Sequence, residues 1–207
     1  MTEFYNLPLN EIYNLGVQEY NSKNYKSALV YFLYAAAQDR SDAQSFLGYM
    51  YEHGLGVKQD SKIANQLYLK AAEQGHKIAQ YNLGQAYRFG KGVDVDYAEA
   101  RKWYELSANQ RFALAQLTLG YIYATGLGVK QDYKIAHKRY LNAAEQGNVE
   151  ANYKIGLLYF EGKVGIVDYS KAKEYFEKAK KLGFDCGDYI EQCEEALDSI
   201  NSCSKDS

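Results

Sequence analysis

Cysteine is missing from nearly the whole of this 207-residue chain, since Cys186, Cys193 and Cys203 all fall within the last 22 residues. An odd number confined to one end cannot staple the body, which excludes a disulfide framework. If 186–199 is helical, Cys186 and Cys193 lie two turns apart, roughly 10 Å of rise and too far to bridge. They are expected to be core or surface thiols without a redox or metal role. Long apolar runs are also missing: nothing approaches roughly 18 consecutive apolar residues, so no membrane insertion is expected. The opening MTEFYNLPLNEIYNL has an acidic third residue, no basic cluster and no apolar stretch. It does not read as a secretory signal, and a cytoplasmic protein is expected.

An excess of one charge is absent as well. The formal net charge is -2 and the pI is near 6.0. That argues against nucleic acid or an anionic membrane surface as partner, and favours another protein or a peptide segment recognised by shape and local chemistry. Histidine is sparse: His53, His76 and His137 share no offset and have no carboxylate or cysteine at metal-ligand spacing. No metal and no cofactor are expected, and each histidine reads as a surface or corner residue.

What the chain has in quantity is repetition. Leu47, Leu83, Leu119 and Ile155 are each followed by glycine (Gly48, Gly84, Gly120, Gly156) at a constant spacing of 36. Tyr51, Tyr87, Tyr123 and Tyr159 keep the register, as do Ala43, Ala79, Ala115 and Ala151, then Ala64, Ala100, Ala136 and Ala172. Alanine, leucine and tyrosine at i, i+4 and i+8 form one apolar stripe at helical period, so each unit predicts two helices. The glycine within the first helix costs about 1 kcal/mol against alanine. It makes sense where a neighbouring helix comes too close for a side chain.

The phrase between the helices, as in HGLGVKQD, could be read as a phosphate loop. Phosphate loops, however, follow a strand or end in Gly-Lys-Ser/Thr, and here a helix precedes and no such pair follows. The phrase instead supplies a helix stop at Gly54, Gly90 or Gly126, a turn, and an N-cap at Asp60, Asp96, Asp132 or Asp168. Asp96 with Glu99 has the capping-box pattern. Two departures stand out: Arg111 replaces a corner glycine, predicting a continuous or tighter corner, and Val164-Gly165 inverts the usual Gly-Val, predicting a different turn.

Leu15-Gly16, Ala28, Phe32 and Ala35 resemble the tetratricopeptide repeat. The later units resemble its longer-looped relative, the Sel-one-like repeat (SLR), through the A-x-x-x-L-G-x-x-Y-x-x-G-x-G-V-x-x-D lettering. The resemblance implies an all-α fold, a right-handed α/α solenoid forming a single domain over 1–200. Its parts are a tetratricopeptide-like unit at 9–41, Sel-one-like repeats at 42–76, 77–112, 113–148 and 149–184, and a capping helix at 185–200 with a flexible tail at 201–207. The acidic DCGDYIEQCEEALDSI fits a capping helix, because an end repeat needs a polar outer face.

In such solenoids the first helices line a concave side. Carried over from the tetratricopeptide pattern, the inward positions include Tyr13 and Tyr20 in the first unit and Ser45, Tyr49, Glu52 and His53 in the second. Tyr81, Arg88 and Phe89 follow in the third, Tyr121 in the fourth, and Tyr153 and Phe160 in the last. An aromatic groove suits a protein segment, because rings give contact area at low entropy cost. Tyr81 and Tyr153 are equally compatible with packing against the adjacent helix. The function expected is a non-enzymatic, monomeric interaction scaffold or adaptor. An immunity or inhibitor protein that covers a toxin is the alternative within the same class. Some cysteine-rich relatives are associated with β-lactam hydrolysis, and Ser170-Lys171-Ala172-Lys173 has the S-x-x-K form. The companion S-D-N and K-T-G motifs are absent, so no catalytic residue is expected.

Overall fold

The computed structural model describes residues 6–203, the side chain of Cys203 excepted. Two compact units divide the chain between Gln110 and Arg111. The first contains α1 (Leu9–Asn21), α2 (Tyr25–Ala37), α3 (Ser41–His53), α4 (Ser61–Glu73), α5 (Lys77–Phe89) and α6 (Tyr97–Asn109). The second contains α7 (Ala113–Thr125), α8 (Tyr133–Ala144), α9 (Val149–Phe160), α10 (Tyr169–Lys181) and α11 (Gly187–Cys203). The expected terminal helix thus starts at Gly187 and continues through 201–203, which had been expected in the tail; 204–207 lie outside the described residues. Within each unit a first helix packs on its own second helix, and that second helix packs on the next first helix. The fold is an all-helical stack of pairs.

The glycine phrase closes each pair. Gly54, Gly90, Gly126 and Gly162 all take the left-handed conformation, with φ between 66° and 75°. That conformation ends the first helix at little steric cost only for a residue without a Cβ. The aspartate that follows is held twice. Its carboxylate accepts main-chain N–H groups at 2.9–3.0 Å, as Asp60 does from Lys62 and Ile63 and Asp96 from Ala98 and Glu99. Its own N–H donates back to the carbonyl of Tyr51, Tyr87, Tyr123 or Tyr159. This second bond corrects the capping-box expectation: the Asp96 N–H is already given to Tyr87, and the Glu99 carboxylate faces Lys102 at 3.2 Å.

Aromatic rings on the second helices explain the glycines inside the first. A Cβ on Gly48 would lie 2.8 Å from the Tyr68 ring, and one on Gly84 would lie 2.7 Å from Tyr104. Gly156 meets Phe176 and Gly16 meets Phe32 in the same way. These rings are almost fully buried, and burial pushes the Tyr68 and Tyr104 phenols well above their ordinary range. Tyr68 donates its hydroxyl to Glu52 at 2.9 Å, and Glu52 also accepts Lys91 at 2.8 Å. A buried phenol thereby keeps a hydrogen-bond partner, as a polar group inside a core requires.

A second buried polar device links the ends of the three middle pairs. Gln44, Gln80 and Gln116 share one repeat position and are buried. Each accepts a hydrogen bond from the glutamine 30 residues later, Gln74, Gln110 or Gln146, at 2.8, 2.8 and 2.5 Å. The amide of Gln80 donates in turn to Ala72 O of the preceding second helix at 3.1 Å.

Arg111 does not tighten its corner, contrary to the expectation. It takes φ 59°, the conformation that Gly75, Gly147 and Gly183 adopt at φ 86°, 81° and 92°. A side chain there bears roughly 1–2 kcal/mol of strain, and α6 ends at Asn109 in step with its sister helices. The inverted Val164-Gly165 does change its turn: Gly165 has φ 150° where the other units place a glycine with φ near 70° one residue earlier. Cys186 and Cys193 are buried beside Phe176, and burial raises both thiols.

Candidate partner-binding site

Three successive first helices of the first unit enclose an open cavity of about 430 Å³. Tyr13 and Tyr20 come from α1; Asp42, Ser45, Phe46 and Tyr49 from α3; Ile78 and Asn82 from α5, with His76 at its N-cap. The rings meet edge to face: Tyr20 lies 5.6 Å from Phe46 and 6.5 Å from Tyr49, and Tyr13 lies 6.1 Å from Phe46. Such edge contacts fix the wall without closing it. Tyr49 remains 39% exposed and stacks on His53 at 4.0 Å.

Charge enters at one rim. The Arg40 guanidinium sits 4.1 Å over the Tyr13 ring, donates to Asp42 Oδ2 at 3.2 Å and also bonds Asn10. His76 Nδ1 accepts the Ala79 N–H at 3.2 Å, capping α5. Its Nε2 therefore carries the hydrogen, and faces Asp42 Oδ1 at 3.4 Å. Burial lowers the His76 pKa from its usual value, against the pull of Asp42 and with Lys77 adding to the shift. The imidazole stands neutral at pH 7.

Of the residues expected to point inward, Tyr13, Tyr20, Tyr49 and Ser45 meet in this cavity. Tyr81, Arg88 and Phe89 do not line it. The Tyr81 ring lies 5.6 Å from Tyr104 and its hydroxyl accepts from Gln85 at 3.0 Å, while Arg88 lies 4.8 Å over Phe89, which is 56% exposed. In the second unit Tyr121 is 40% exposed, but Tyr153 and Phe160 pack inward. Tyr153 stacks on Phe184 at 4.6 Å, and Tyr189 of α11 stands 5.8 Å from Tyr153 and 5.6 Å from Phe160. The Tyr153 phenol is pushed up to about 12, by burial first and then by Tyr189.

Sequence reasoning missed Phe46, Asp42, His76, Ile78 and Asn82. Phe46 carried a signal: it precedes the motif leucine, where sister units have Asn82, Thr118 and Lys154. Of the histidines expected at surfaces or corners, His76 is at a corner, but His137 lies within α8, half-buried and edge-on to Tyr159 at 5.3 Å.

Ser170 and Lys173, the S-x-x-K match, both lie in α10. Lys173 is engaged by Glu194 at 2.7 Å, which raises its pKa and holds it as an ammonium. No cluster of metal-ligating side chains occurs among the described residues, and no helix among them is long and apolar enough to cross a membrane.

One family model, the Sel1 repeat, matches five times: at 12–39, the short-looped first pair, and at 41–76, 77–112, 113–148 and 149–184, the 36-residue pairs with the glycine-aspartate closure. The chain belongs to the Sel1 repeat family. The match at 12–39 takes in the unit that looks closest to a tetratricopeptide repeat. Among solved structures, a Sel1 repeat protein from Oxalobacter formigenes is 39% identical with a TM-score of 0.79, over 83% of this chain and 68% of that one. A protective antigen of uropathogenic Escherichia coli with the SLR fold is 31% identical with a TM-score of 0.78. That match covers 86% of this chain, which spans only 39% of the antigen. A sel1 repeat protein from Klebsiella pneumoniae shares the fold at 23% identity and a TM-score of 0.58, over 93% of each chain. Among curated proteins none matches. Sel1 repeats generally serve as non-enzymatic interaction modules.

Proposed function

We propose that this Sel1 repeat protein is a monomeric, non-enzymatic scaffold or adaptor of the cytoplasm that grips a segment of another protein. The observation that carries the reading is the open cavity walled by Tyr13, Tyr20, Phe46 and Tyr49 on helices of successive pairs. Large rings held in place by their neighbours lose little freedom on binding, and such anchors dominate interface energetics. The salt-bridged state of Lys173 supports the non-enzymatic part of the reading, because an ammonium cannot take the Ser170 proton.

The test is affinity capture of a partner with the intact protein, followed by titration of that purified partner against Tyr49→Ala combined with Ile78→Ala. Both residues line the cavity and are 39% and 43% exposed. The pair should weaken binding by at least about 2 kcal/mol, roughly thirty-fold, with little change in melting temperature. Undiminished binding by a folded double variant would place the interface on another surface.

A further inference from the structure

The chemistry of this cavity also indicates what part of a partner it holds. Its lining combines four aromatic rings, the exposed Ile78 and a single carboxylate, Asp42, and includes no lysine or arginine among the described residues. His76 adds no positive charge, because its Nδ1 is committed to the Ala79 N–H. An aliphatic stem ending in a cation satisfies this combination: the stem lies along the rings while the head meets ring faces and the carboxylate. Arg40 already makes both contacts from the rim, over Tyr13 at 4.1 Å and against Asp42 at 3.2 Å. The Asp42 side chain nonetheless remains 42% exposed, and Tyr20, Phe46 and Tyr49 remain open to the cavity. An acidic segment would set its carboxylate against Asp42, and the rim cation Arg40 is already engaged by Asp42 and the Tyr13 ring.

We propose that the cavity between α1, α3 and α5 takes a lysine or arginine side chain of the partner segment. The assignment rests on the reading of this cavity as the partner-binding surface and names the chemistry of its occupant.

Twelve-residue peptides on a common glycine-serine frame, with arginine, citrulline, lysine, norleucine or glutamate at the centre, test it by NMR titration of the full chain. Arginine against citrulline removes charge at nearly constant shape, and lysine against norleucine repeats the comparison. The cationic peptides should bind about ten-fold tighter than their neutral counterparts and shift resonances of Tyr20, Tyr49 and His76, with affinity falling as salt rises. Asp42→Asn should reduce the preference below about three-fold, and Asp42→Glu, which keeps the charge, should retain it. Equal binding of citrulline and arginine at the cavity overturns the cation assignment and leaves the interaction surface standing, as does a preference for glutamate. Absence of any shift at the cavity with all five peptides overturns both.

Discussion

Tyr13 and Tyr20 in the first unit and Tyr153 and Phe160 in the second hold the same two repeat positions, seven residues apart on the first helix of a pair. Their surroundings differ. In the first unit the next first helix, α3, brings Phe46 and Tyr49 edge-on and leaves a cavity. In the second, α11 brings Tyr189 and the corner before it brings Phe184, and the rings become part of a packed cluster with Phe176. A repeat position sets the direction of a side chain. All four rings are half-buried and pack on the cluster that holds the ring of their own second helix, Phe32 or Phe176. The element that follows decides what else they meet: α3 leaves a cavity beside Tyr13 and Tyr20, and α11 sets Tyr189 against Tyr153 and Phe160.

The sharpest way to break this comparison is to remove the cover. Tyr189→Ala should cost about 3 kcal/mol, because it leaves a cavity among Tyr153, Phe160 and Phe176, whereas Tyr49→Ala in the first unit should cost less than about 1 kcal/mol. Urea unfolding of both variants measures the contrast, and equal losses would mean that the first-unit rings are core as well.

Next in size is the loop. A Cβ on Gly56, at φ 73°, would lie 2.7 Å from the main chain of Tyr25, so Gly56→Ala should lose about 2 kcal/mol. The fourth repeat already carries Val164 at this place, and Val164→Gly should change stability by under about 1 kcal/mol. Comparable urea midpoints for the two variants would refute the distinction between the turns.

The smallest effect concerns acid. His76 and His137 both have pKa values lowered chiefly by burial. Their contribution is complete above the unfolded value near 6.5 and is lost as pH falls from there through the depressed folded values, since the unfolded chain takes the protons first. Asn148 caps α9 through Oδ1 at 2.9 Å from the Ala151 N–H, in the place where His76 caps α5. His76→Asn should therefore preserve the cap and flatten part of the fall in melting temperature between pH 7 and roughly pH 5. An unchanged pH profile would show that His76 does not titrate with unfolding.

Much of the fold is legible because each pair is built from short-range signals. Gly54 marks a left-handed stop, Asp60 a cap, and Ala43 with Leu47 a buried stripe, and each acts within a few residues. Arg111 is misread from the sequence because a missing glycine suggests a missing conformation, whereas its backbone takes φ 59° all the same. The sequence leaves Tyr153 open to two roles because its neighbour Tyr189 lies beyond the repeats. Asp42 and His76 went unnoticed because their positions carry no motif letter, and only the spacing of α3 and α5 brings them face to face.

The glutamine clasps bear on how such a chain grows. Both amides of a clasp lie in one 36-residue unit, and the remaining bond of Gln80 goes to a main-chain carbonyl, Ala72 O, which any preceding second helix can offer. The Gln80–Gln110 unit brings its own fastener, which asks its neighbour only for main-chain carbonyls, Ala72 O and Gly75 O, whereas Gln44 also reaches the Asp39 carboxylate at 3.4 Å. Gene duplication can thus insert a copy without stranding a buried amide, which would otherwise cost about 1–3 kcal/mol. The last repeat has Asn152 and Leu182 at these places, and Asn152 bonds back to Asn148 O at 3.2 Å. The clasp is thus carried by the units at 41–76, 77–112 and 113–148 and not by the last.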